Sequence, residues 1–495
     1  MYNDFFTINK ADIKNITLKE TMSYENDVLL NRIWYTSDAF LIEQMMKKLA
    51  NLHGNDVSAD RFWAAVPVAG MGIRKIHSGL PAEMVNVLAD IIVADIDKID
   101  IADATQNELW NQMTEDDIDF KDIIQQCIID TLVTGDGAFK ISFNSDISEY
   151  PIVEYYSGEE VQYEYIGNRI NKIKFYSRYS ENKKDYVLEE IYYRGGIEYH
   201  LYDKDEKEVS LSTVSELEDL KDVTFSDKTL MLAIPCMFYK SAKYKGRGKS
   251  IYDNKIELFD AYDEAISAWT DAERDNRAKN YIPDDMFPRD PDTGETLEPN
   301  PFMLRYIRIN GSMDLGKDGV NVQQSTIDYQ AHQANIISKR DQCIEGIISG
   351  ATLGFNVSAD ASGESQKEKK DMTLITRNHI TTRLEKVIRK LVGAIIRAYY
   401  QSISKSIPVV DVSFTFGEYS KMSFDDKIKT LSAARPGEAI ISRESLVDEL
   451  WGDSKDDEWK QEEIARLAEE STIIEETPFP SDGDFLSSED ENITE

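Results

Sequence analysis

Gly248-Lys249-Ser250, in the stretch KYKGRGKS, is where the residue types come nearest to phosphate chemistry. A P-loop folds backbone N–H groups around a nucleotide's phosphates. It needs a glycine five residues before the glycine of its Gly-Lys-Ser. That position is Lys243, so nucleotide hydrolysis is not expected. The same stretch gathers Lys240, Lys243, Lys245, Arg247 and Lys249. A solvated loop is the simpler account. The alternative is contact with DNA phosphate or an acidic partner, with Lys243, Lys245, Arg247 and Lys249 as the candidates. RDPDTGETLE offers Asp290 and Asp292, but a calcium loop needs Asp or Asn at 294 and Gly at 295. The chain has Gly294 and Glu295 there. The histidines (53, 77, 200, 332 and 379) are too far apart for zinc spacing, and no Gly-x-Ser-x-Gly elbow occurs. Paired carboxylates such as Asp116-Asp117 carry no weight in a chain with 91 acidic residues, and nothing marks out a nuclease cluster. No catalytic residue, metal site or cofactor is expected, and the chain is not read as an enzyme.

What must such a chain be instead? Its 495 residues exceed one core and suggest about two to four domains. The balance of 56 basic against 91 acidic residues, a net charge of −35, speaks against wrapping DNA, because phosphate contacts need Lys and Arg. It fits plain solubility, or a surface that lies near nucleic acid without gripping it. Cys127, Cys236 and Cys343 read as isolated, reduced core residues. No stretch approaches the roughly 18 consecutive apolar residues of a membrane span, so no membrane partner is expected. The opening MYNDFFTINKADIKN lacks the basic-then-apolar pattern of a secretory signal.

The pattern along the chain is α+β. LLNRIWYTSDAFLIEQMMKKLA spaces Ile33, Trp34, Leu41, Met45 and Leu49 as a helix. LPAEMVNVLADII is a helix that leads into strand, and DIDFKDIIQQCIIDTLVTGDGAFKISF reads helix, glycine turn, strand. Residues 150–203 alternate, with turns at Gly167-Asn168 and Gly195-Gly196, and predict an antiparallel meander. KTLMLAIPCMFY adds a strand. Three long helical patterns follow. The first starts at a capping box of Ser250 and Asp253, runs to about Asn280 and spans roughly 45 Å. The second starts at Ser325 and Asp328 and ends at Gly350, and the third starts at Ser365 and Glu368 and runs to about Tyr400. IPVVDVSFTFGEY reads as a strand. Short helices follow in SFDDKIKTLSAA, SRESLVDELWG and SKDDEWKQEEIARLAEE. The acidic end EETPFPSDGDFLSSEDENITE is expected to be disordered.

A helix leaves the body, a proline-rich acidic excursion follows, and a helix returns. Such a stalk would expose its flanks unless copies packed side by side. In this order the chain resembles a portal protein of tailed bacteriophages of the long non-contractile-tail class. The residues that carry the resemblance are RKIHSGLPAEMVNVLADII, TLVTGDGAFKISFNSDISEYPIVEYYSGEEVQYEY, GKSIYDNKIELFDAYDEAISAWTDAERDNRAKNYIPDDMFPRDPDTGE, GATLGFNVSADASGESQKEKKDMTLITRNHI and ISRESLVDELWGDSKDDEWKQEEIARLAEE, over roughly residues 60–470.

The resemblance implies an α+β portal fold. It has an N-terminal segment (1–60), an α/β wing (61–249), a first stem helix (250–280), a small clip (281–326), a second stem helix (327–350) and a tunnel loop (351–364). It continues with a long wing helix (365–402), a strand returning to the wing (403–420), a helical crown (421–475) and an acidic disordered tail (476–495). It implies a ring oligomer of about twelve subunits that passes double-stranded DNA without sequence specificity. The implied partners are the terminase large subunit, a head-completion or adaptor protein, and the major capsid and scaffolding proteins. The implied location is the head–tail junction at one capsid vertex of the virion, after synthesis in the host cytoplasm. Thr352, Leu353, Gly354, Phe355, Asn356 and Val357 become channel candidates, and Asp284, Asp285, Arg289, Asp290 and Asp292 become candidates for partner docking on the clip. The alternatives are a DNA-processing ATPase or nuclease of the packaging system, and another self-assembling virion protein.

Overall fold

A computed structural model describes residues 24–52, 62–66, 74–96, 98–144, 146–276, 279–283, 289–294, 306–309, 321–323, 326–355, 363–403, 405–417, 442–451 and 457–476. The chain divides into two units, Met1–Tyr419 and Ser420–Glu495. The first begins with helices α1 (Tyr24–Thr36), α2 (Ala39–Leu52) and α3 (Leu80–Ala94), strand β1 (Asp100–Ile101), and helices α4 (Ala104–Asp116) and α5 (Phe120–Thr134). Strands β2 (Asp136–Ser142), β3 (Ile152–Ser157), β4 (Val161–Ile166), β5 (Arg169–Glu181), β6 (Lys184–Tyr193), β7 (Gly196–Asp203), β8 (Glu208–Val209), β9 (Val223–Thr224) and β10 (Ala233–Met237) follow. Then come α6 (Ile256–Asp275), β11 (Lys279–Pro283), β12 (Tyr306–Ile309), β13 (Asn321–Gln323), α7 (Tyr329–Ile344), α8 (Gly363–Ser402) and β14 (Val412–Ser413).

The helix, glycine turn and strand read from the sequence form as α5, Gly135 and β2. The Asp119 carboxylate accepts from the Asp122 N–H and caps α5. Gly135 ends α5 at φ 104, and its backbone meets that of Gly248. A Cβ on Gly248 would lie 1.9 Å from the Gly135 carbonyl oxygen, so only glycine lets the two segments touch. The meander forms as an antiparallel sheet in the order β4-β5-β6-β7-β8, with β9 on β7. One turn not anticipated is Asn182-Lys183, both left-handed, which joins β5 to β6. Strand β10 does not join the meander. It pairs with β2 in a separate sheet, β10-β2-β3.

Several boundaries move, each for a local reason. The expected single helix after residue 29 is broken at Ser37, which adopts φ 55, and Asp38 caps the restart by accepting from Leu41 N. Ser250 does not cap a helix. Its hydroxyl donates to the Leu132 carbonyl and accepts from Tyr252 N, Asn254 turns the chain at φ 65, and α6 starts only at Ile256. Its 20 residues span about 30 Å rather than 45. Asp328 caps α7, which ends at Ile344, ahead of Gly346 at φ 77, and Ser325 lies outside the described residues. The strand expected after residue 406 is short. Val412–Ser413 pair with Asp100–Ile101, and Phe416 bridges to Ile96.

Helices α6 and α7 run antiparallel. Lys255 at the foot of α6 donates to the Gln342 and Glu345 carbonyls at 2.8 and 2.9 Å, and Trp269 farther along stacks on His332. Strands β11, β12 and β13 lie between these helices in sequence and form their own small sheet in the order β12-β11-β13. Helix α8 is 40 residues long and buries Ile380, Leu384, Ile388, Leu391 and Ile395 along one stripe. One core joins Trp34, Met84, Phe139, Phe259 and Leu384, and a smaller one gathers Tyr186, Leu188, Leu201, Val214 and Leu217. The second unit contains α9 (Arg443–Trp451) and α10 (Asp457–Glu476), joined by an edge-on contact of Trp451 and Trp459 at 5.2 Å. The helix expected in SFDDKIKTLSAA and the acidic tail lie outside the described residues.

Gly248→Ala is expected to lower stability in urea by about 3 kcal/mol, because backbone must move to admit the methyl group. Gly167→Ala, at φ 61 but with open space around it, is expected to cost about 1–2 kcal/mol.

Candidate functional site

The cations singled out at 240–249 do not act together. Arg247 is turned inward. It lies 3.0 Å from the fully buried Asp136, donates to the Val161 carbonyl at 2.7 Å and to the Gly158 carbonyl, and stacks on the Tyr24 ring at 3.8 Å. Asp136 also accepts from Gly248 N at 2.5 Å. Burial pushes the Asp136 carboxyl up to about 6, against the pull of Arg247 and of the Gly248 N–H. Arg247 is therefore a structural cation, and a phosphate could reach it only by breaking this cluster. Lys243 is also paired, with Asp27 at 2.5 Å. Lys245 and Lys249 are exposed. Gly248-Lys249-Ser250 leads into turns rather than a helix, so the backbone N–H array of a phosphate loop is not formed here.

The cysteines are less isolated than their spacing suggests. The Cys127 and Cys236 sulfurs lie 3.5 Å apart in the core as free thiols, because β10 packs beside α5. Cys343 is buried elsewhere.

Helix α6 carries two buried carboxylates that sequence reasoning missed. Asp260 accepts from the Trp63 and Ala64 N–H groups at 2.6 and 2.9 Å. Asp263 accepts from Ser78 N at 3.0 Å and faces His77 Nδ1 at 2.9 Å. Burial pushes Asp260 up to about 6 although both N–H donors pull it down. The one sequence signal was two acids on the same helix as a clear apolar stripe, which in so acidic a chain reads as a solvated face.

The turn between α7 and α8 is tied at its base. Thr373 Oγ1 of α8 accepts from Ser349 N at 3.0 Å and bonds Thr352 Oγ1 at 2.7 Å. Gly354 is left-handed at φ 79. Leu353 is buried, and Phe355 is half-buried with the Arg340 guanidinium over its ring at 4.3 Å. Three of the six channel candidates, Thr352, Leu353 and Phe355, thus support the turn from within the chain. Asn356 and Val357 lie outside the described residues.

Among the clip candidates, Asp284 and Asp285 lie outside the described residues. Asp290 is half-buried and Asp292 exposed. Asp290 accepts from the Asp292 and Thr293 N–H groups at 2.8 and 3.1 Å, which lowers its pKa and closes a turn ahead of Gly294 at φ 69. Arg289 is described, but the structure assigns it no role in docking. Among the described residues no group of His, Cys, Asp and Glu could hold a metal ion, and no helix is long and apolar enough to cross a membrane.

A family model described as phage portal protein, SPP1 Gp6-like, matches residues 42–476. No curated protein matches the sequence. Among solved structures, the chain is similar at 10% identity and a TM-score of 0.40 to a chain in the neck of a native gene transfer agent particle computed with C12 symmetry, covering 75% of this chain and 89% of that one. A chain from the neck of the empty particle, computed with C6 symmetry, gives 10% identity and a TM-score of 0.40 over 75% and 90%. One from the virion of the native particle gives 10% identity and 0.39 over 80% and 96%.

Arg247→Met is expected to cost about 3–5 kcal/mol in urea unfolding, since it strands a buried carboxylate, whereas Lys245→Met should stay within about 0.5 kcal/mol. A second expectation concerns pH. Asp136, Asp253 and Asp260 are raised to about 6 and Glu160 to about 7 by burial. Folded pKa values above the unfolded ones mean that the folded chain binds more protons in the window between them. Thermal melts at fixed salt should therefore shift upward as pH falls from about 7.5 to about 5.5. A melting temperature that falls over that range would show that these carboxyls are not raised.

Proposed function

Because the chain belongs to the SPP1 Gp6-like family of phage portal proteins, a structural rather than an enzymatic family, we propose that it forms a closed ring of about twelve subunits at one capsid vertex. Double-stranded DNA passes through the ring's axial channel without sequence specificity. A separate terminase motor drives the DNA inward, and the same channel releases it at ejection. The ring sits at the head–tail junction of the virion after synthesis in the host cytoplasm, and it nucleates procapsid assembly with the major capsid and scaffolding proteins. The observation that carries this reading is the family match over residues 42–476.

The geometry supports a division of labour. The antiparallel pair α6 and α7 serves as the stem. The small sheet β11–β13 and the segments around it, 281–326, serve as the clip, where the terminase large subunit docks first and a head-completion or adaptor protein later. Half-buried Asp290 and exposed Asp292, with Asp284 and Asp285, steer basic partner surfaces onto it. The loop 351–364 approaches the DNA. Thr352, Leu353 and Phe355 hold that loop, and Gly354, Asn356 and Val357 present its channel side. A net charge of −35 repels phosphate, so that DNA slides instead of binding.

Electron microscopy of the purified full-length chain, without partners, tests the ring. Rings with an axial hole and a protruding stalk are expected. A chain that stays monomeric and hydrolyses ATP in the presence of DNA would overturn the proposal in favour of an enzyme. Replacing residues 281–326 with a short Gly-Ser linker should leave ring assembly intact and abolish capture of the terminase large subunit.

A further inference from the structure

Among its described residues the first unit has two unpartnered faces of opposite character. One is a groove of about 1560 Å³ between the β4–β5 turn, β10, α8 and residues 407–410. Ten of its lining residues are lysine or arginine and one, Asp227, is acidic, in a chain whose net charge is −35. Arg247, Arg389 and Arg397 are bound to acids within the chain. Arg169, Arg194, Lys240, Lys245, Lys386 and Lys390 have no acidic partner among the described residues. Between these cations lie apolar side chains, including Met231, Val387 and Val409, the last 92% exposed.

The other face is the loop after β2. Phe143 is 41% and Ile147 73% exposed. Around them stand Asp146 and Glu149 and, on the neighbouring α4–α5 turn, Glu115, Asp117 and Asp119, all exposed. None of these five acids is ion-paired among the described residues. The loop has a defined shape. Ile147 N and Ser148 N both donate to the Asn144 carbonyl at 3.0 Å, and the Ser148 hydroxyl binds the Asp117 carboxylate.

The two faces lie on different sides of α8. Groove residues Arg383, Lys386, Lys390, Ala394 and Arg397 recur at spacings of three and four along one side. Tyr399, which packs on Tyr150 at the end of the acidic loop at 6.0 Å, lies nine residues beyond Lys390. That is about 2.5 helical turns, which puts it on the opposite side. A basic, partly apolar groove and an acidic, partly apolar loop on opposite sides of one chain suit head-to-tail pairing of identical copies, the kind that closes into a ring. Duplex DNA would satisfy the cations but leave the apolar floor unused.

We infer that the groove along α8 receives the acidic 143–149 loop of a neighbouring copy of this chain. The inference rests on the ring reading for its closure but not for the contact itself. The test uses full-length chains at about 0.15 M ionic strength, with self-association measured by sedimentation and shape by electron microscopy. One variant carries Lys386→Glu with Lys390→Glu, another Asp146→Lys with Glu149→Lys, and a third carries all four. These side chains are exposed, and circular dichroism checks that the fold survives.

Each two-site variant is expected to weaken association at least about tenfold, and the four-site chain to regain most of it, because complementarity is restored in reverse. Unchanged association in either two-site variant, or no recovery in the four-site chain, overturns the inference. So does a groove variant that assembles normally but loses binding to a short DNA duplex, which would assign the groove to nucleic acid. Open oligomers with the expected pattern of loss and recovery support the contact and overturn the ring. Closed rings from every variant do the reverse. A wild-type chain that never self-associates overturns both.

Discussion

The buried contact between Arg247 and Asp136 is the constraint on which the arrangement of the first unit depends. It joins segments more than a hundred residues apart at the place where α5 ends and β2 begins. Arg247 also donates to the Gly158 and Val161 carbonyls and covers the Tyr24 ring, so α1, the turn after β3 and the start of β4 meet one guanidinium. A planar group with five fixed donors can bond two backbone carbonyls and a carboxylate at once while stacking on a ring, which a lysine's compact ammonium does less well. The cost is a carboxyl held in the core, visible in its raised pKa. The glycines at 135 and 248 bring the two backbones close enough for the pair to form.

Acidic side chains are used in two different ways. The chain's 91 acids give it its charge, and most of those among the described residues lie outside the core. A few are buried and accept from backbone N–H groups that no helix or sheet satisfies. Asp260 and Asp263 do this for residues 63–64 and 78, and so hold α6 against the N-terminal part of the fold. Lys255 holds the end of α7 through its carbonyls. Both helices of the antiparallel pair are thus anchored at one end, and the small sheet β11–β13 follows at the other.

Charge is distributed along a gradient that overall composition hides. The groove beside α8 concentrates lysine and arginine, while the 143–149 loop concentrates aspartate and glutamate around exposed Phe143 and Ile147. Among the described residues, most of the groove's cations and all five acids around the loop have no ion-pair partner.

Periodicity and turn chemistry make much of the architecture legible in the sequence alone. The helix, glycine and strand at 120–142, the meander, the long helix ending at Ser402 and the excursion between two helices all follow from side-chain spacing, and their order carries the family resemblance. Helix starts were less legible: Asp328, read as part of a capping box opened by Ser325, is itself the cap. Ser250 looked like a cap but is drawn to the Leu132 carbonyl, a contact no local rule anticipates. The same holds for Arg247, which reads as a surface cation until Asp136 lies beside it, and for Asp260 and Asp263, which read as solvated until residues 63–78 cover them. Local pattern determined which segments form helices and strands, because those hydrogen bonds close within a few residues. Which charges are buried, which are paired and which remain for another molecule was decided by the tertiary structure, because each depends on a partner far away in the chain.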